Sequence, residues 1–149
     1  MSLRDQILAD ITVAMKARDQ ARLDTLRMVK TSIQRQEIED QKPMDDPAMM
    51  SLLNKLVKQR REAADAFIKG SRQELADKEL AEAAIIEAYL PKPVDEATLA
   101  QVVESVIAET SASSAKEIGM VMKQVMAKLA GQNIDGKAVN MMVRRKLGG

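Results

Sequence analysis

The sequence predicts an all-α fold, with an N-terminal bundle of about four helices joined to a small C-terminal three-helix tail domain. Three observations predict it. Apolar residues recur at steps of three and four almost throughout, strict alternation and β-branched runs are missing, and proline, glycine and short polar residues punctuate the chain at helix-sized intervals.

The first helix runs from about Ser2, with Asp5 three residues on, to Arg18, and its inward stripe is Leu3, Ile7, Ile11, Ala14 and Met15. The second starts near Asp19 and carries Leu23, Leu26, Val29, Ile33 and Ile38 until Lys42-Pro43 ends it. Asp46-Pro47 combines a side-chain cap with a first-turn proline, and opens a third helix to Gly70 with Met49, Leu52, Leu53, Leu56, Ala63 and Phe67 inward. Ser71 and Glu74 have the spacing of a capping box for the fourth, whose Leu75, Ile85, Ile86 and Tyr89 lead to the stop at Pro91. Short links between four such helices make a bundle over 1–90.

Beyond the joint Tyr89-Leu90-Pro91-Lys92-Pro93, the tail domain occupies 94–149. Asp95 caps a fifth helix bearing Leu99, Val102, Val103, Val106 and Ile107, and Thr110-Ser111-Ala112-Ser113-Ser114 breaks it. Ser114 with Glu117 restarts a sixth, with Ile118, Val121, Met122, Val125, Met126 and Leu129 inward until Gly131. A seventh begins at Asp135-Gly136, carries Val139, Met142, Val143 and Leu147, and ends in Gly148-Gly149. Three helices in so few residues make a marginal core, which leans on the bundle or on a partner.

Inventory narrows function. The 149 residues hold no cysteine and no histidine, which removes disulfides, thiolate nucleophiles, the usual neutral-pH proton shuttle and the commonest zinc ligands. Glu79 and Glu82 share a helix side, but a dinuclear metal bundle would want histidine beside them, so they read as solvated. No glycine-rich phosphate loop or nucleophile elbow is present. The expectation is therefore no catalytic, cofactor or metal set. Met1-Ser2-Leu3-Arg4 lacks an apolar signal core, and no stretch suggests a membrane span, which points to a cytoplasmic location. One phenylalanine, one tyrosine and no tryptophan argue against a base-stacking platform, which relies on several exposed rings.

Charge is segregated. From Thr110 to Gly149 seven basic residues face two acidic ones, a local net of +5 on a chain whose total is +1. At 100° per residue, Lys116 and Lys123 project opposite the apolar stripe of the sixth helix beside Met120, with Gly119 leaving room for a close approach. Lys137, Met141 and Arg144 share the outward face of the seventh. The residues alone leave two readings open: the wet sides of amphipathic helices, or a binding face. Lys58-Gln59-Arg60-Arg61 is a second basic cluster, diluted by Glu62 and Asp65.

Thr25-Leu26-Arg27, Lys58-Gln59-Arg60, Tyr89-Leu90-Pro91, Ala115-Lys116-Glu117-Ile118-Gly119, Val121-Met122 and Asp135-Gly136-Lys137 follow in an order and spacing that resemble the YqeY-like family over the whole chain. Residues 94–149 also resemble the tail domain of the B subunit of the tRNA-dependent amidotransferase. That resemblance implies a cytosolic accessory protein binding tRNA or another structured RNA, in company with an amidotransferase or tRNA-synthetase complex. Lys116, Gly119, Lys123, Gly136 and Lys137 match the tail-domain positions for RNA contact, and Arg144 joins them from the wheel. Met120 and Gln132-Asn133-Ile134 stand where the family carries positive charge. The family's label of carbon–nitrogen ligase with glutamine as donor reads as inherited, since neither a nucleophile for amide release nor an ATP site is visible. The competing reading is a protein-interaction module whose basic face meets an acidic partner, with Met120 and Met141 supplying apolar contact.

Overall fold

The computed structural model describes residues 1–148. Among them it is all-helical, as the periodicity predicts: α1 (Leu3–Lys16), α2 (Gln20–Asp40), α3 (Asp46–Lys69), α4 (Gln73–Glu87), α5 (Glu96–Thr110), a 3₁₀ turn (Ala115–Glu117), α6 (Ile118–Lys128) and α7 (Gly136–Leu147). They form two compact units, Met1–Leu90 and Pro91–Gly149, and the predicted terminus at Gly149 lies outside the described residues.

In the first unit, side-chain oxygens of Ser2, Asp19 and Asp45 accept the amide hydrogens of Asp5, Arg22 and Ala48 and start α1, α2 and α3. Pro47 sits in the first turn of α3, where its missing N–H costs nothing. The core is built from Ile7 of α1, Leu26 and Ile33 of α2, Met49 and Leu53 of α3, and Ile86 of α4, all fully buried. Each contributes on the order of 1.5–3 kcal/mol by leaving water.

Three local expectations fail here. The cap of α3 is Asp45 rather than Asp46, whose carboxylate instead accepts the Leu3 amide at 3.0 Å. Ser71 has φ +59° and donates its amide to Ile68 O, so the cap position passes to Arg72 and the Ser71–Glu74 box does not form. Met15 and Ile38 are exposed rather than inward. Ala14 already takes the buried position on α1, and after Ile33 the stripe of α2 continues at Glu37, so each exposed residue stands 100° past the seam.

The second unit closes a core of valines: Val103 and Val106 of α5, Val121 and Val125 of α6, Val139 and Val143 of α7, all at 0% exposure. Asp95 Oδ1 accepts the Thr98 amide at 2.7 Å and starts α5, and Ser111 closes it in the left-handed region. The predicted Ser114–Glu117 box before α6 does not form. Glu117 reaches back to the Ser113 amide and the Ser114 hydroxyl at 3.2 and 3.4 Å, but residues 115–117 wind as a 3₁₀ turn and the α-helix begins at Ile118. Met126, expected inward, is 39% exposed because Val125, one residue before, holds the seam. Gly131, at φ +82°, makes the turn after α6 that a side chain would resist.

Asn133 fastens the start of this unit. Its Nδ2 donates to Pro91 O at 2.9 Å and its carbonyl accepts the Val94 amide at 2.9 Å, a short parallel bridge that pins Pro91–Val94 beside the α6–α7 loop. Asn133 is 5% exposed.

Candidate functional site

The six residues selected from the sequence fall on a 3₁₀ turn and the two helices that follow it, α6 and α7. Lys116 lies in the 3₁₀ turn, Gly119 and Lys123 on α6, and Gly136, Lys137 and Arg144 on α7. Lys116, Gly119, Lys123, Lys137 and Arg144 are exposed and Gly136 is half-buried. A 3₁₀ turn advances 120° per residue, so Lys116 does not stack over Lys123 as on a continuous α-helix. A Cβ at Gly119 or Gly136 would meet nothing within 4 Å. Neither glycine is demanded by packing inside the fold, which leaves the space outside them open.

The basic surplus is smaller in the folded unit than in the C-terminal stretch of sequence. Glu109 of α5 accepts from Lys128 Nζ at 2.7 Å, and Glu104 of α5 pairs with Lys146. Counted over 91–149, eight basic side chains face six acidic ones, and a net of +2 replaces the local +5. The acids that the stretch from Thr110 omitted lie on the helix immediately before it. What remains is selective: among the described residues Lys116, Lys123, Lys137 and Arg145 have no carboxylate partner, and Arg144 bonds only Asn140 Oδ1, at 2.7 Å. Met120, Met126 and Met141 stand exposed on the same two helices, at 42%, 39% and 57%.

The second basic cluster is dismantled by the fold. Arg61 pairs with Glu87, Lys58 lies 4.0 Å from Glu62, and Arg60 turns inward. The Arg60 guanidinium touches Met28 Sδ, donates to Leu56 O at 3.4 Å, and keeps Nε 3.7 Å from Glu82 without a hydrogen-bond partner. Two further ionic clusters, unmarked in the sequence, brace the first unit. Arg4 grips Glu37 with two bonds of 2.7 and 3.0 Å while the Met44 amide donates to the same carboxylate at 2.7 Å; the Arg4 bonds, then the Met44 amide, hold Glu37 below the usual carboxylate range. Tyr89 donates its hydroxyl to Asp10 at 2.5 Å and accepts from Arg22 at 3.0 Å. Burial first, and the bond to Asp10 second, push its phenol up to about 12. These residues tie α1 to α2 and to the segment that follows α4. Among the described residues no group of three or more acids is placed to hold a metal ion, and no helix is long and apolar enough to cross a membrane.

A family model described as Yqey-like protein matches residues 4–147. Among curated proteins, the chain is 39% identical to a protein of Eremothecium gossypii over 54% of its own length and 45% of the relative's. It is 31% identical to one of Kluyveromyces lactis, covering 86% of this chain and 69% of that one. A third, from Pyrenophora tritici-repentis, is 24% identical over 96% and 80% of the two lengths. All three carry the name "Altered inheritance of mitochondria protein 41, mitochondrial". The chain thus spans less than half of the Eremothecium relative.

These names correct two expectations. The cytoplasmic location is overturned by relatives named as mitochondrial, as is the role of a cytosolic tRNA-binding accessory of an amidotransferase. The error has a physical origin. A basic helical face carries little information about its counterpart, because any acidic surface offers the same Coulombic attraction.

Proposed function

We propose that this chain, which belongs to the YqeY-like family, is a non-catalytic protein-docking module whose C-terminal unit presents a basic, methionine-bearing face to an acidic partner protein, in the mitochondrial setting that its relatives' names supply. One observation carries the reading. Within the second unit Glu109 and Glu104 of α5 take up Lys128 and Lys146, whereas Lys116, Lys123 and Lys137 face solvent without an acid, and Met120, Met126 and Met141 stand exposed on the same two helices. Free cations steer an acidic partner, and flexible thioethers adapt to its apolar contacts. The non-catalytic reading is supported by the inventory of side chains, which contains neither histidine nor cysteine, and by the structural use of the buried polar groups around Tyr89 and Glu37.

The test is quantitative cross-linking of the purified chain in nuclease-treated mitochondrial extract, against a variant with Lys116→Glu, Lys123→Glu and Lys137→Glu. All three positions are exposed, so the helical signal is expected to be unchanged. An acidic protein cross-linked to α6 or α7 in the parent and depleted on the order of tenfold in the variant supports docking. Identical cross-link sets for both chains would end the proposal.

A further inference from the structure

α5 and α7 run parallel in the second unit, with Val94 and Leu99 near Ala138 at one end and Glu104 paired with Lys146 at the other. They meet loosely. Between them the surface falls into two recesses of 330 and 550 Å³ that share Glu96, Met142 and Arg145 and so make one open trough. Its extent along α7, from Ala138 to Lys146, is about 12 Å at 1.5 Å per residue, or roughly two helical turns.

The lining is unusual for a soluble surface. Ala97 and Ala100 on one side and Ala138 on the other keep the walls low, and Met142 and Leu99 form an apolar floor. Alanine walls admit a backbone closely, and a methionine floor adjusts to the side chains pressed on it. The charges differ from wall to wall. On the α7 side Arg145 has no carboxylate partner among the described residues, with Lys146 beside it, whereas on the α5 side Glu96 stands alone in the first turn. A small-molecule pocket would show convergent polar groups on an enclosed cavity; this trough has an apolar floor, low walls and one charge sign per rim.

We infer that the α5–α7 trough binds an amphipathic helix of a partner protein, two turns of apolar ridge lying on Met142 and Leu99, with carboxylates on the flank facing Arg145 and neutral or basic residues on the flank facing Glu96. The rim charges select this occupant. An acidic flank relieves the unpaired Arg145, and the reverse orientation would set carboxylates against Glu96. Leucine or methionine at i, i+4 and i+7 fits the length of the floor. This deepens the docking proposal and rests on it, naming where an acidic partner is gripped after the outer lysines have attracted it.

The experiment is an amide-shift NMR titration of the full-length chain with a side-chain-bridged helical peptide of about four turns, carrying leucine at i, i+4 and i+7, glutamate on one flank and glutamine on the other. A twin peptide replaces each glutamate with lysine. The expected result is shifts at Ala97, Ala100, Ala138 and Met142 with the glutamate peptide, a loss of affinity on the order of tenfold in Arg145→Glu, and a gain for the lysine twin in that variant. Ala138→Phe, which fills the trough without touching the charges, is expected to abolish binding of either peptide. Shifts confined to the outward face around Lys116 and Lys123 would overturn the trough while leaving acidic docking intact. Equal binding of both peptides would overturn the charge selection. No binding of either would overturn the trough too, and the cross-linking result with the triple-glutamate variant then decides the docking proposal separately.

Discussion

Tyr89 is the residue at which local chemistry has the clearest global reading. It is the only tyrosine, and there is no tryptophan, so its ionisation can be followed by absorbance without interference. Its phenol is pushed up to about 12, first by burial and then by the bond to Asp10, with Arg22 pulling the other way. The folded state therefore holds this proton more tightly than the unfolded chain, whose phenol titrates near 10. The resulting stability is complete below about pH 10 and drains away as pH rises toward 12. Tyrosinate absorbance is expected to rise with a midpoint near 12 in the native protein, and at the ordinary value in denaturant. Tyr89→Phe should remove that alkaline drain and cost about 1 kcal/mol at neutral pH through the Asp10 acceptor left behind. Glu37 carries the opposite sign. Arg4 and the Met44 amide lower its pKa, so its contribution is present above the usual carboxylate range and lost as pH falls through the folded value. Urea midpoints measured from neutral to acidic pH should fall less steeply in Glu37→Gln than in the parent, from a lower starting point.

At the scale of single elements, the turn between α3 and α4 separates two accounts of how a helix begins. Serine followed by glutamate at the third place is a capping signature, and were it formed, Ser71→Ala would cost about 1 kcal/mol. In the structure Ser71 sits at φ +59° and α4 starts without a side-chain cap, so Ser71→Ala should be nearly neutral and Ser71→Gly should stabilise by roughly 0.5–1 kcal/mol. Chemical denaturation of the two variants distinguishes them. The same contrast explains what was legible. Asp95 and the first-turn Pro47 read correctly because an acidic cap and a proline act within four residues, whereas the cap of α3 is Asp45, one residue before the expected Asp46. Ser71 and Ser114 have the right spacing, but tertiary packing decides whether the residue enters the left-handed region or a 3₁₀ turn. Ile38, Met15 and Met126 show the matching limit of periodicity: a run of apolar residues marks a face, and which neighbour of a pair takes the seam depends on the helix opposite. The partners of Lys128 and Lys146 lie 19 and 42 residues away on α5. A local charge count missed them because its first residue fell inside a folded unit, and counting from the proline joint would have included both.

At the scale of the whole molecule, among the described residues fourteen buried ones from Ile7 to Ile86 make one core and eleven from Leu99 to Leu147 make another. No residue belongs to both. The cores also differ in kind. The first is filled by isoleucine, leucine and methionine on four helices, the second by six fully buried valines on three, and a unit of this size buries a smaller fraction of its surface on folding. Leu53→Ala in the first core and Leu129→Ala in the second should each cost on the order of 2–4 kcal/mol. Because each cost falls on the unit whose core it opens, calorimetry is expected to show the second unit melting first in the parent protein. Leu129→Ala should lower that transition further and leave the later one in place, and Leu53→Ala should lower the later one. A docking module gains from this arrangement. A partner helix seated between α5 and α7 would add apolar burial to the less stable of the two cores, raising its transition in proportion to the logarithm of partner concentration above the dissociation constant. The first unit's transition would then serve as the internal reference. A single transition displaced equally by both leucine substitutions would mean that the two cores unfold as one, and ligand-linked stabilisation could no longer be assigned to the tail unit.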